Sequence, residues 1–287
     1  MKRLIINADG YGFTYGINRG IEEAVTNGVV TSISVNANFE SVFELEGFLK
    51  RNPKISVGVH LNPIVGRPIA KPNEVPTLVD DKGEFHYKNF SKRLLKGKIN
   101  LKELEYELSL QIERVQKLCP HITHIDSHQN RHLYPRYFSL FLRLAQKYGI
   151  KKMRTHKYFI CAEREHRKRD ACLYYLKNPI RILTHAVARI EMGWARAKGM
   201  IMADRLLAVG YVGHANKSMI QSWLQIIRNI PDGVSEIYCH PGYIDDVLLK
   251  YATYVKEREQ ELKILCSKEL KDSIRENDIH LISFYDL

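Results

Sequence analysis

Residues 5–12 read IINADGYG, an apolar run that stops on a carboxylate and is followed by two glycines. With Arg3 and Leu4 before it, the segment 3–9 has the length and apolar density of a buried strand, and Asp9 stands where that strand ends. Six further segments read as strands: TSISVNA (31–37), ISVGVHL (55–61), ITHIDSH (122–128), KKMRT (151–155), VSEIYCH (234–240) and HLISFYD (280–286). Helical patterns lie between them, over 16–27, 41–51, 101–118, 136–148, 216–229 and 253–277. Strand and helix in alternation predict a parallel sheet, either a barrel or a doubly wound sheet. No linker and no internal repeat divides the 287 residues, so one domain is expected over 1–287.

Two segments interrupt the alternation. Residues 62–92 are rich in Pro, Gly and Asp, and a loop of that length inside a compact domain reads as a binding loop or lid. Residues 157–213 form a basic insertion that includes REHRKRD (164–170). The whole chain carries a formal charge of +12, which suits an anionic partner: a membrane surface, a nucleic acid or a phosphorylated substrate. Five scattered cysteines with no C-x-x-C spacing argue against a disulfide framework or a thiolate zinc site. The basic start MKRLIINAD has too short an apolar run for a signal peptide, and no stretch is long enough to span a bilayer. A cytoplasmic protein is expected, peripheral on the inner membrane face if the insertion meets lipid.

Four strands end in a reactive side chain: Asp9, His60, His128 and His240. In a parallel barrel all strand C-termini open on one face, so four such groups converge. The strand ITHIDSH adds His124, Asp126 and His128 at a spacing of two, on one side of the strand. A row of that kind is costly to bury without a purpose. It suits a histidine bound to metal and oriented by Asp126, with His132 approaching from the following loop. Histidine and aspartate without cysteine suit Zn²⁺ or another divalent cation with open positions, which is hydrolytic rather than structural chemistry. Each residue taken alone has a plainer reading: a strand-end histidine reaching solvent, or Asp9 as a turn residue or helix cap. Cys239 points opposite to His240 and reads as core filler.

The stretches NADGYGFTYGINRGIEEAVTNGVVTSISVNAN, VGVHLNPIVGRP, THIDSHQNRHLYP and IYCHPGYID resemble, in order, the motifs of the YdjC-like carbohydrate deacetylase family. The resemblance runs along the chain and is weak in 157–205. It implies a single-domain distorted (β/α) TIM-like barrel with the basic helical insertion added. It also implies a divalent metal ion, Mg²⁺ or Zn²⁺, and removal of an N-acetyl group from an amino sugar with release of acetate. By the resemblance His60 and His128 hold the metal, Asp9 is the base or a further ligand, and His240 protonates the departing amine. Arg154 falls where the family often carries an arginine near the site; Asp126, His124 and His132 are expected to support ligands or substrate. One departure matters. The family usually has two aspartates where this chain has Asp9–Gly10. Either Asp9 takes over as ligand, or water fills the place, or catalysis is lost and a sugar-binding pseudoenzyme remains. HQNRH is a second departure, being less histidine-rich than the family pattern. A metal-dependent phosphoesterase is the third reading, and the first strand lacks the paired His-x-His of a multinuclear site.

The segment 181–198 separates on a helical wheel into Arg181, His185, Arg189 and Arg196 on one side and Leu183, Val187, Ile190 and Trp194 on the other. That pattern fits either an interfacial helix on an anionic membrane or an ordinary amphipathic helix packed on the barrel. Nucleic acid is disfavoured, because aromatic residues do not interleave with the basic ones. Expected partners are therefore an N-acetylated amino sugar, lipid-linked or part of an anionic glycan, an anionic membrane, and a second copy in a homo-oligomer.

Overall fold

The computed structural model describes residues 1–161, 167–209 and 218–287. Seven strands form one sheet: β1 (Lys2–Tyr11), β2 (Ser32–Val35), β3 (Ser56–Leu61), β4 (His124–Ser127), β5 (Arg205–Leu207), β6 (Gly233–Cys239) and β7 (Ile279–Leu281). All pair in parallel, in the order β4-β3-β2-β1-β6-β5, and β7 lies along the start of β1. The sheet curls into a half-barrel with helices around it. Between β4 and β5 it is continued, among the described residues, by single bridges, Ile125 to Met153, Lys152 to Ile201 and Tyr158 to Leu206. The expected strand 151–155 is thus no strand. Its one apolar residue, Met153, gives it no face to hold flat against neighbours. The expected strand 280–286 stops at Leu281, because Ser283 caps a short turn over Phe284–Asp286.

Residue parity divides the two faces of β1. Leu4, Ile6 and Ala8 pack in the main core under the helices. Ile5 points the other way and forms a small apolar plug with Ala203, Val234 and Phe284. Asn7 and Asp9 share the parity of Ile5 and are buried, so a polar layer lies above the plug. Helices complete the core in ordinary fashion. Thr14 caps Tyr15–Thr26 by accepting from the Ile17 N–H, and the helix buries Ile17, Ile21 and Ala24. Ile17 and Ile21 each contribute about 2 kcal/mol of burial.

The segment 62–92 is packed rather than slack. Glu107 accepts the backbone N–H groups of Ile69 and Ala70, and Ile64, Leu78, Phe85 and Phe90 are buried. In the basic insertion two helices are described, Arg167–Lys177 and Ile180–Ala197. Part of REHRKRD (164–170) and the start of the expected helix 216–229 fall outside the described residues. The second helix corrects the expected wheel. His185 faces inward with Ala188, Glu191, Met192 and Ala195, while Leu183, Ile190 and Trp194 are exposed. The barrel takes the small residues because they allow close approach, and the bulky apolar stripe stays outside.

Candidate active site and metal centre

The inward parity of five strands supplies the site. Asn7 and Asp9 come from β1, Ser34 from β2, His60 from β3, Asp126 from β4 and Glu236 from β6, and all are buried. Arg154, carried in by the bridged segment beside β4, ties them together. Its Nη1 and Nη2 donate to the two oxygens of Asp9 at 2.7 and 2.6 Å. Nη2 also lies 2.9 Å from Asp126, and Nε donates to Glu236 at 2.7 Å. Asn7 donates to both Asp9 and Ser34, and Ser34 donates to Asp126.

Charge follows from these contacts. Burial alone would raise the Asp9 carboxyl, but Arg154 outweighs it and holds Asp9 below its usual range. Asp126 behaves the same way, against Arg154 and then His60. Glu236 is the exception: burial dominates and pushes it up to about 7. Two ionised carboxylates and one guanidinium therefore form a compact cluster, and Glu236 beside them titrates at about 7.

His60 donates or shares a proton through Nδ1 with Asp126 at 2.7 Å, and Nε2 is left for the cavity that His60 lines. Burial opposes its charge, yet Asp126 wins and raises its pKa. A carboxylate behind a histidine fixes the ring and strengthens it as a ligand. His128 follows β4 directly. Gln129 and Asn130 adopt left-handed φ of +52° and +54°, which turns the chain sharply after it. Its ring stands edge-on to His60 at 5.4 Å. Burial first, and His60 second, keep it neutral. His240 comes from the end of β6, with Nε2 at 4.0 Å from Asp9. Burial and then Arg258 lower its pKa, so it too is neutral. Its backbone N–H is fixed by Glu261 at 2.7 Å.

These groups line one cavity of about 400 Å³, with Phe13, Tyr87, Tyr238 and Tyr254 as aromatic walls. The volume and the aromatic lining suit a sugar-sized ligand. Asp9, His60 and Asp126 each offer a ligand atom, all within 4.8 Å of one another. Among the described residues that group is two carboxylates and one histidine, a donor set that fits a divalent cation, and it does not include His128, whose ring stands 5.4 Å from that of His60.

Gly10 is the extra residue of a β-bulge, since Asp9 pairs with Ser34 and Tyr11 with Val35. Its φ is +103°, and a side chain there would face the amide of Asn36 and Ile17. Both polar atoms of the Asn36 side chain are buried without a partner.

Two of the residues expected to support the site do not line the cavity. His124 stacks on Phe284 at 3.7 Å and bonds Ser34 and Thr123, beneath Asp126 and off the cavity. His132 bonds Ser127 through Nδ1 and stacks on Phe141, also off the cavity. Asp126 and Arg154 are at the centre. The sequence reading passed over Asn7, Ser34, Glu236 and Arg258. Asn7 lies two residues before Asp9, the spacing that drew attention to His124, Asp126 and His128, and Glu236 lies four before His240 with the same parity. Arg258 lies on a helix and carries no such signal.

A sequence model of the YdjC-like protein family matches residues 3–276. A carbohydrate deacetylase of Brevibacillus brevis is 32% identical over 99% of both chains. A chitooligosaccharide deacetylase of Yersinia enterocolitica is 29% identical, again over 99% of both. Among solved structures, a putative cellobiose-phosphate cleavage protein from Enterococcus faecalis superposes with a TM-score of 0.78 at 29% identity, covering 99% of this chain and 98% of that one.

Proposed function

Because this chain belongs to the YdjC-like family, we propose that it is a metal-dependent hydrolase that removes the N-acetyl group of an amino sugar and releases acetate. The observation that carries the reading is the Asp126–His60 pair beside His128, Asp9 and His240 on one sugar-sized cavity. The names of its relatives supply the substrate class.

His60, His128 and Asp9 are the residues that would hold the metal. A divalent ion bound there would polarise the acetyl carbonyl and acidify water. Asp126 orients His60, and Arg154 holds Asp9 in place and keeps it ionised. Both oxygens of Asp9 already accept from Arg154, which weakens Asp9 as a base. With Asp9 taken as a ligand, the base role expected of it falls to His240, whose imidazole is neutral and 4.0 Å away. Neutral at rest, His240 accepts the proton of the attacking water, and the imidazolium that forms is stabilised by Asp9 at 4.0 Å. His240 then returns the proton to the departing amine. Tyr87, Tyr238 and Tyr254 supply flat surfaces for a pyranose ring. The sugar is carried on a lipid or an anionic glycan, a reading supported by the charge of +12.

The test is elemental analysis of protein purified without chelators, paired with acetate release from N-acetylated chitooligosaccharides. About one equivalent of divalent metal, lost in His60→Ala together with acetate release, is the expected result. A metal-free wild type that does not take up Zn²⁺ overturns it. That outcome would favour the second reading, a sugar-binding protein without turnover, which one observation supports: Gly10 stands where the family usually has an aspartate.

A further inference from the structure

From Leu173 to Trp194 the surface carries an apolar ridge. Leu173, Leu176, Ile180, Leu183, Ile190 and Trp194 are all exposed, and half-buried Val187 fills the one gap. On the helix Ile180–Ala197 the spacing alternates three and four, so Ile180, Leu183, Val187, Ile190 and Trp194 form one stripe, and Leu173 and Leu176 are exposed on the preceding helix Arg167–Lys177. Leu183 is 66% exposed and Ile190 73%. Contiguous apolar surface of this kind marks a contact site.

The charges beside the ridge are all of one sign. Lys177, Arg181, Arg189, Arg196 and Lys198 are exposed. The two carboxylates between residues 168 and 198, Asp170 and Glu191, are both turned inward and buried. No helix in the described residues is long and apolar enough to cross a membrane. An apolar stripe edged by cations, on a helix that lies flat against its protein, is built for the boundary between headgroups and acyl chains. Pairing two copies through this face would set like charges against each other, which disfavours a symmetric dimer.

We infer that the surface formed by the helices Arg167–Lys177 and Ile180–Ala197 docks on anionic lipid, with the ridge in the interface and the arginines on phosphate. The helix is also tied to the barrel near the site. His185 stacks on Tyr158 at 4.5 Å, the Tyr158 hydroxyl is 3.4 Å from His156, and His156 lies 4.8 Å from His132 in the loop that begins at His128. Docking there would hold the protein against a membrane from which a lipid-borne amino sugar is presented. That last step rests on the deacetylase reading; docking does not.

Co-sedimentation of the full chain with vesicles tests it, comparing phosphatidylcholine alone with phosphatidylcholine containing phosphatidylglycerol. Binding is expected to the anionic vesicles only and to weaken with salt. Arg189→Gln and Arg196→Gln should each weaken it about fivefold. Leu183→Glu with Ile190→Glu should abolish it. These positions lie on the surface, so unchanged acetate release from a soluble substrate and unchanged circular dichroism show that the variants are folded. Absence of binding to anionic vesicles, or equal binding by the Leu183→Glu/Ile190→Glu variant, overturns the inference. So does a wild-type dimer that this variant converts to monomer without any vesicle binding, which would give the face to a second copy. Lost acetate release with vesicle binding intact would count against the deacetylase reading alone.

Discussion

Inside the barrel, Asp9, Asp126 and Glu236 lie out of water around one guanidinium; on the helix Ile180–Ala197, Leu183 and Ile190 lie in it. Both regions run against the usual burial preferences, and in opposite directions. The interior pays for its buried charge with near-complete pairing: among its groups only a few atoms, such as one oxygen of Glu236, lack a partner. The helix has no compensation of that kind within the described residues. A buried polar cluster that is satisfied internally points to chemistry done inside the molecule. An apolar ridge with no cover points to something outside it.

Arg154→Met breaks the interior most. It leaves Asp9 and Asp126 buried beside one another without their cation, and should cost about 3–5 kcal/mol. Urea unfolding of this variant, set against Ile190→Ser, sharpens the comparison, because the exposed isoleucine should change stability by less than about 0.5 kcal/mol. If Ile190→Ser were as costly as Arg154→Met, the ridge would be core and the contrast would collapse.

The helix carries one buried carboxyl of its own. Glu191 has no partner for either carboxyl oxygen, and burial pushes it up to about 8. Its ordinary value is 4.5. Below that, folded and unfolded chains are both protonated and the residue has no effect. Between 4.5 and 8 the unfolded chain ionises and the folded one does not, so stability falls as pH rises. Glu191→Gln should therefore leave thermal stability at pH 4.5 nearly unchanged and raise it by about 1–3 kcal/mol at pH 8. A gain of equal size at both pH values would show that the effect is packing and not proton linkage.

Asp126→Asn keeps the shape behind His60 and removes the charge. Loss of such a partner typically lowers metal affinity about 10- to 100-fold. Zn²⁺ titration followed by calorimetry checks it. An unchanged affinity would mean that Asp126 serves the ion pair with Arg154 and not the histidine.

Much of this was legible in the sequence, for reasons that differ by region. Strands ending in Asp9, His60, His128 and His240 could be read because a parallel sheet sends strand ends to one face whatever the details of closure. Parity within ITHIDSH gave the correct side for Asp126. It also overreached: His124 has the right parity but lies lower in the barrel, where Gly58 leaves room for its ring and Phe284 covers it. Depth along a barrel axis depends on strand stagger, and one strand alone does not encode it. The bidentate grip of Arg154 on Asp9 joins residues 145 apart in the chain, so no local pattern announces it. On the helix, periodicity separated an apolar stripe from the basic positions but left the buried side undetermined. Ala188 and Ala195 won that side because small residues let the helix sit close, a preference that a hydrophobicity wheel ranks backwards.

Gly10 gives a small effect and joins the two themes of pairing and its absence. An added Cβ would come no closer than 3.8 Å to Asn36 and 4.0 Å to Ile17, so there is room. The backbone φ of +103° is the obstacle, and Gly10→Ala should cost about 1 kcal/mol through strain alone. Gly10→Asp meets the same strain, but its carboxylate can accept from the unpaired Asn36 amide, and aspartate tolerates positive φ better than alanine. Thermal unfolding should rank the three chains glycine, aspartate, alanine in falling order of stability without metal. With Zn²⁺ added, the aspartate variant should gain more than the parent if position 10 opens toward His60 and His128. An equal gain would mean that the bulge turns the side chain toward Asn36 for good, and that Asp9 alone supplies the carboxylate of the site.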